Sequence, residues 1–179
     1  MIWTEEEAKQ HHYWSENLAK ALPPVLDKSL PVLDFGCGRG DYLSYLAKRG
    51  FKGIGLEGQL PPEHFKNTHV VDLAKPIELD LPQGNVLSFE VGEHIEREGE
   101  SQFLDTLVRF AAKRIVMSWA VPGQGGVGHV NERSNVYIVR QLQDRNFVFN
   151  RGLSRDLRSV MQDDGLWWFK NTLMVFDRF

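Results

Sequence analysis

Cysteine is almost absent: Cys37 stands alone among 179 residues, so no intrachain disulfide can form. That favours a reducing, cytoplasmic compartment. Long apolar runs are missing too, and nothing approaches the roughly 20 residues of a membrane helix. The N-terminal stretch MIWTEEEAKQHHYW is acidic and has no apolar segment of signal-peptide length. Nor is there an excess of positive charge. With 21 basic and 24 acidic residues the net charge is −3, which excludes a general attraction to nucleic acid. Repeats, low-complexity tracts and linkers are lacking, so the whole of 1–179 reads as one domain. Its residues 1–28 form an N-terminal lid or helix, and 29–179 form the core. What the chain does have is ordinary globular composition, 42% hydrophobic with 11 Phe and 5 Trp, enough for a sizeable core and a pocket.

Short strand-forming runs alternate with helical ones. Strands are predicted over 31–35, 51–57, 68–73, 85–90, 114–120, 147–150 and 167–178. Helices are predicted over 15–22 (started by Ser15), 41–49 (closed by Gly50), 101–114, 133–145 and 154–162. Alternation of this kind predicts an α/β, mostly parallel sheet. The long final strand, after an irregular section, predicts an antiparallel addition at the edge, with Trp167 and Trp168 on opposite faces.

The stretch VLDFGCGRGDYLSYLAKRGFKGIGLEG, 32–58, carries the first chemical signal. A strand ends in a glycine-rich turn that opens a helix. Gly36, Gly38 and Gly40 allow tight turns and close approach of a ligand to the backbone. The next strand ends in Glu57, placed to accept hydrogen bonds from ribose hydroxyls. A dinucleotide fingerprint counted from Gly36 needs glycine at 41, where Asp41 stands and would repel a pyrophosphate. Asp34, just before the glycines, suits a cationic amino group. These features predict S-adenosylmethionine, which has such a group and no phosphate. A plain strand-to-helix turn is the bland reading of the glycines.

These motifs, with VVDLAKP and NVLSFEVGEHI following in order, resemble those of class I S-adenosylmethionine-dependent methyltransferases. The resemblance runs from 32 to about 120 and implies a Rossmann-like, doubly wound, seven-stranded sheet with an antiparallel last strand. It implies that Asp34 and Gly36 line the methionine end, Glu57 holds the ribose, and Asp72 and Leu73 flank the adenine. Cys37, Gly38, Gly40, Gly58 and Glu90 complete the implied cofactor set. Cys37 reads as a small residue in a crowded turn, not a nucleophile, and Arg39 as solvated or paired with a carboxylate.

Beyond the fourth predicted strand lie Glu90, Glu93 and His94. Their E-x-x-E-H spacing resembles a motif in two O-methyltransferase groups. One acts on the 2′-hydroxyl at the 3′ end of small RNAs, the other on catechol-like rings in ubiquinone biosynthesis. The resemblance implies Glu90, Glu93, His94 and a later histidine as ligands of Mg²⁺ or Mn²⁺. His129, in the glycine-rich run after the fifth strand, is the candidate, although in those groups the last histidine lies farther along. His94, Glu93 and His129 are thus the candidate catalytic residues. Cation-free alternatives stay open: His94 as a general base, and Glu93 as a helix cap. Tyr13 and Trp14, beside His11 and His12, read either as a lid or as an anchor of the first helix. Trp119 reads as a lining of the acceptor pocket. The arginines at 145, 151, 155 and 158 read as a solvated face. A short chain without an inserted substrate domain predicts a small-molecule acceptor, or a pocket closed by a second copy in a homodimer. The expected activity is O-methylation of a small-molecule hydroxyl. RNA ribose methylation and a catalytically silent cofactor-binding module are the alternatives.

Overall fold

The computed structural model describes residues 13–161 and 165–179. Seven strands form one sheet: β1 (Val32–Phe35), β2 (Gly53–Glu57), β3 (Thr68–Val70), β4 (Gly84–Ser88), β5 (Ala111–Met117), β6 (Phe147–Phe149) and β7 (Met174–Arg178). Their order is β3-β2-β1-β4-β5-β7-β6. β1 pairs in parallel with β2 and β4, β2 with β3, and β4 with β5. β7 runs antiparallel to both β5 and β6. This is the expected Rossmann-like sheet, with β7 as the reversed strand.

β1 and β4 are buried along their whole lengths, as expected of central parallel strands covered on both faces. One apolar layer joins Leu33, Phe35 and Val86 to α3 (Glu100–Phe110) and α4 (Asn135–Gln143). The other joins Val32, Leu87 and Val116 to α1 (Glu16–Ala21), α2 (Asp41–Ala47), α5 (Arg151–Ser159) and α6 (Phe169–Thr172). Capping fixes the starts of three of these helices. Ser15 accepts from Leu18 N, Ser134 from Tyr137 N and Asn150 from Leu153 N, each satisfying an otherwise orphaned first-turn amide.

Three expectations are corrected. The last strand is not at the edge, because β6 pairs outside it. Val175 and Phe176 are fully buried, and flanking β7 on both sides satisfies the backbone of such a buried strand. The short β6 is then a safe edge, exposing few unpaired groups. Nor does the last strand start at 167. Residues 169–172 are helical, closed by Asn171 and Thr172 amides donating to Trp168 O at 2.9 and 3.1 Å. Trp167 and Trp168 therefore precede a helix and do not straddle the sheet. Finally, the helix predicted to 114 ends at Phe110, because Ala111 pairs with Gly84 in β5. Tertiary pairing overrides helix propensity there.

Parallel strands deliver the turns after β1, β2, β3, β4 and β5 to one edge of the sheet. Among the described residues no helix is long and apolar enough to cross a membrane.

Candidate active site

At that edge opens a cavity of about 540 Å³. Its first wall is the turn after β1. Gly36, Gly38 and Gly40 have φ of 80°, 55° and 73°, the left-handed region that glycine enters without strain. At Gly36 space also matters, since a Cβ would stand 2.3 Å from Val91 Cγ2. Glu57, at the end of β2, accepts from Gly38 N and Gly58 N at 2.7 Å each. Its carboxylate therefore ties β2 to the glycine turn, while burial raises its pKa. Asp34 is buried, and among the described residues its Oδ2 has no hydrogen-bond donor. Burial, then the charge of Glu57, raises its pKa to about 7. A buried carboxylate oxygen left without a donor is costly, and a cationic amino group in the cavity would satisfy it.

β3 ends three residues earlier than expected, so Asp72 sits in a turn. It accepts from Ala74 N at 3.0 Å and pairs with Lys75 at 3.0 Å, a contact that holds its pKa below the ordinary value. Asp72 and Leu73 line the cavity. Cys37 does too, with a thiol pKa pushed up by burial, which makes it a poor nucleophile. Arg39 pairs with Asp41 at 3.1 Å.

The second wall follows β4. Glu90 has φ of 53°, unusual for a non-glycine residue. Its amide donates to Ser118 Oγ at 2.8 Å, and its Oε2 accepts from Gln124 at 2.7 Å. Its Oε1 is buried, and among the described residues it has no donor in full hydrogen-bond geometry. A 3-10 turn over Gly92–His94 follows. Here Glu93 is fully buried; the main-chain amides of Glu93 and Ala120 offset part of that burial, but among the described residues neither carboxylate oxygen has a donor in full hydrogen-bond geometry. Burial, then the charge of Glu90, lifts its pKa well above the ordinary value.

The loop after β5 is stitched onto this turn. Val130 and Asn131 amides donate to the main-chain oxygen of Glu93 at 2.9 and 3.0 Å. The loop brings His129 to the 3-10 turn, with its ring 5.0 Å from that of His94 and edge-on to it. His129 Nε2 lies 4.0 Å from Glu93 Oε1. One ligand atom each from Glu93, His94 and His129 lies within 4.8 Å of the others. Glu90 stands beside this group, outside that tight set, with one oxygen taken by Gln124.

Both imidazoles are oriented through Nδ1. His94 Nδ1 meets Gly128 O at 3.1 Å. A carbonyl only accepts, so Nδ1 carries the proton and Nε2 the lone pair. His129 Nδ1 meets Glu132 Oε1 at 3.2 Å, which selects the same tautomer. Burial, then the charge of His129, lowers the His94 pKa to about 4. Glu132 and Gln124 were missed in the sequence. Glu132 also accepts from Gly123 N at 2.6 Å and Gly125 N at 2.8 Å, so one carboxylate holds both the loop and its histidine. An acid three residues after His129, behind a glycine run, was the available signal.

Trp119 is not a pocket residue. It is fully buried, packs on Phe103, donates to Asn131 O at 2.7 Å and lies under Gly92. Its ring is the floor on which the 3-10 turn rests. Tyr13 and Trp14 do line the cavity. His11 and His12 lie outside the described residues. Among the described residues three of the arginines are engaged separately: Arg145 pairs with Asp105, Arg155 with Asp156, and Arg158 donates to Leu173 O.

A family model described as a methyltransferase domain matches residues 6–113, more than half of the chain. No curated protein sequence matches. Among solved structures, the fold is similar to magnesium protoporphyrin IX methyltransferase from Synechocystis PCC 6803 with bound SAH. The TM-score is 0.65 and the identity 17%, over 98% of this chain and 83% of that one. A TehB-like SAM-dependent methyltransferase from Corynebacterium glutamicum gives 0.64 and 18%, over 97% and 93%. The 1,6-didemethyltoxoflavin-N1-methyltransferase of Burkholderia thailandensis gives 0.60 and 18%, over 98% and 80%. Sequence match and sheet order agree: the chain belongs to the methyltransferase-domain family, and its fold is that of the S-adenosylmethionine-dependent enzymes to which it is similar.

Proposed function

We propose that the protein moves a methyl group from S-adenosylmethionine to a hydroxyl oxygen of a small molecule, with a divalent cation held by Glu93, His94 and His129. One observation carries the reading. Glu93 buries a carboxyl group that among the described residues has no donor in full hydrogen-bond geometry, and one of its oxygens lies within 4.8 Å of a ring nitrogen of each of His94 and His129. Burial favours the protonated form of this group while the site is empty, and a cation bound there would displace that proton and pair with the carboxylate. One carboxylate and two imidazoles suit Mn²⁺, and Mg²⁺ with added oxygen ligands. Bound there, such an ion would lower the pKa of the acceptor hydroxyl and fix its position.

The rest falls to the chain itself. Asp34 would pair with the amino group of the cofactor, and the glycine turn would admit the cofactor against the backbone. The acceptor oxygen attacks the methyl carbon in line with the sulfonium. The carbon–oxygen bond forms as the carbon–sulfur bond breaks, and sulfur keeps the electron pair as S-adenosylhomocysteine forms. The hydroxyl proton passes to Glu90, whose burial raises its affinity for a proton. His94 acting as a lone general base is the weaker reading, because a pKa near 4 makes it a poor proton acceptor at neutral pH. A small molecule is favoured over RNA because Arg39 is the basic side chain on the cavity wall among the described residues, and it is paired. The protoporphyrin and toxoflavin methyltransferases of similar fold also take small molecules, by their names.

The test is titration calorimetry with MnCl₂ on the wild type and Glu93→Gln, beside an assay of S-adenosylhomocysteine release from a panel of alcohols and phenols. One Mn²⁺ per chain is expected, with affinity at least about tenfold weaker in the variant, and turnover lost on chelation. Full turnover after exhaustive chelation, with Glu93→Gln still active, would sink the reading.

A further inference from the structure

One buried acid has no part in the methyl transfer. Glu100 opens α3, is 5% exposed, and is not one of the described residues that line the cavity. Unlike Glu93 it is fully engaged. Its Oε2 accepts from Asn131 Nδ2 at 2.8 Å and from Arg133 Nε at 2.6 Å, and its Oε1 accepts from the Tyr137 hydroxyl. The Arg133 guanidinium also lies over the Tyr137 ring, 4.6 Å from its centre. Burial by itself would raise the pKa of Glu100, but the three donors outweigh it and hold the group below the ordinary carboxylate value. Glu100 is therefore a stable interior anion, and its hydrogen bonds are of the strong, charge-assisted kind.

All three donors come from the segment that ends the histidine loop and begins α4. Asn131 links that segment to the site. It is fully buried. Its amide donates to Glu93 O at 3.0 Å, its carbonyl accepts from Trp119 Nε1 at 2.7 Å, and its side chain reaches Glu100. Arg133 N donates to Ala120 O at 2.9 Å, which closes the base of the loop. The stretch from Glu93 to Glu100 thus grips the loop twice, once by a main-chain oxygen beside His94 and once by a carboxylate. A mostly buried ion pair such as that of Glu100 with Arg133 adds little net stability over an apolar contact of the same size, since both charges must leave water. What directional bonds to an anion do add is a fixed position for the groups that donate. The group fixed here is Asn131, two residues from His129.

We propose that Glu100 is a positioning residue for the site: through Asn131 it holds His129 against Glu93 and His94. Glu132 orients the imidazole of His129, and Glu100 sets where its main chain lies. That this placement serves a cation rests on the reading of Glu93, His94 and His129 as ligands. The placement itself rests only on the bonds that join Glu100, Asn131 and Glu93.

The placement can be read without metal or turnover. In metal-free, histidine-labelled full-length protein, the ring protons of His94 and His129 should show a nuclear Overhauser contact, because the rings stand 5.0 Å apart. Glu100→Leu is similar in size but offers no acceptor. It is expected to abolish that contact or weaken it several-fold, and to weaken Mn²⁺ binding about tenfold in calorimetry. Glu100→Gln keeps one acceptor oxygen and should recover most of both losses. Asn131→Ala cuts the same link at its other end and leaves the main-chain bonds to Glu93 in place. It should repeat the losses, and it carries the test if Glu100→Leu does not fold. Affinity for S-adenosylhomocysteine should be unchanged in all three, which also reports that the fold is intact. A role in stability alone would lower the melting temperature and leave the ring contact and the Mn²⁺ affinity of the folded protein as in the wild type. That result would overturn the proposal. So would a wild type without the ring contact, an equal loss of S-adenosylhomocysteine affinity, or a Glu100→Gln variant no better than Glu100→Leu. Wild-type protein that takes no Mn²⁺, but whose ring contact still depends on Glu100, would refute the cation reading and leave this one standing.

Discussion

Asp34 shows how one residue can serve binding at the expense of stability. Its pKa rises from an ordinary 3.8 to about 7 on folding, so the empty protein holds that proton more tightly than the unfolded chain does. Stability from this group is therefore present below pH 3.8 and is lost as pH rises toward about 7. A cofactor ammonium seated at Asp34, as proposed, would reverse the preference, since it would pair with the ionised form. Affinity for S-adenosylhomocysteine is thus expected to fall as pH drops below about 7, by up to tenfold per pH unit. Asp34→Asn should flatten that slope and weaken binding by roughly 10–100-fold, while raising the melting temperature of the empty protein at neutral pH. Calorimetry across pH with a parallel melting series checks both signs, and a variant with unchanged slope would remove Asp34 from the site. Glu132 acts differently, through His129. Glu132→Ala releases the imidazole and two loop amides together. A fall in kcat of about 10–100-fold is expected, with little change in cofactor affinity. A similar loss in S-adenosylhomocysteine affinity would mean that the loop supports the whole cavity and not the histidine.

At the scale of elements, the 3-10 turn after β4 is the decisive piece. It carries Glu93 and His94, and its shape depends on Gly92 lying against Trp119. A Cβ at Gly92 would come 2.2 Å from that ring, and Trp119 is fully buried with its indole N–H held by Asn131 O. Neither side can give way cheaply. Gly92→Ala is expected to cost about 1–3 kcal/mol, a drop of roughly 2–10 °C in Tm, and to impair turnover beyond what the lost stability explains. An alanine variant with wild-type melting and kinetics would mean that the turn does not need this contact. The same element shows the reach of sequence reading. E-x-x-E-H announced ionisable groups after a strand. Spacing alone did not say that Glu93 would point inward, because inward or outward is set by the turn and by what packs beneath it. Trp119 was misread for the same reason: a tryptophan at a strand end serves equally as floor or as wall. Trp167 and Trp168 were misread because alternation suggested a strand, whereas main-chain bonds returning to Trp168 O make the segment a helix.

For the whole molecule, the cofactor should act as a clamp. The cavity draws on the turns after five strands and on Tyr13, Trp14 and Trp168, so a ligand there binds the folded chain and not the unfolded one. At one hundred times its Kd, S-adenosylhomocysteine should add about 2.7 kcal/mol, or roughly 5–10 °C in Tm. NAD should not, since Asp41 occupies the place where a dinucleotide fold needs glycine. A thermal-shift comparison in which NAD stabilises equally would reject the cofactor assignment. The sheet itself was largely legible, because alternating apolar runs and helix caps are local signals. The place of β7 was not. Its sequence is compatible with an edge or an interior position, and only the arrival of β6 outside it decides between them.

The sequence by itself determined the glycine-turn side of the cavity. A glycine turn must follow β1, an acid must close β2, and parallel strands must bring both to one edge, since each requirement is met by neighbours in the chain. The tertiary structure alone decided the side built from the histidines and the aromatic rings. His129 reaches Glu93 only because a loop 36 residues away is bonded to the Glu93 main chain. Tyr13 meets Trp168 only because the two ends of the described chain pack over one cavity. Contacts between distant segments leave no periodic trace in sequence, because what selects them is the shape and charge of the folded surface.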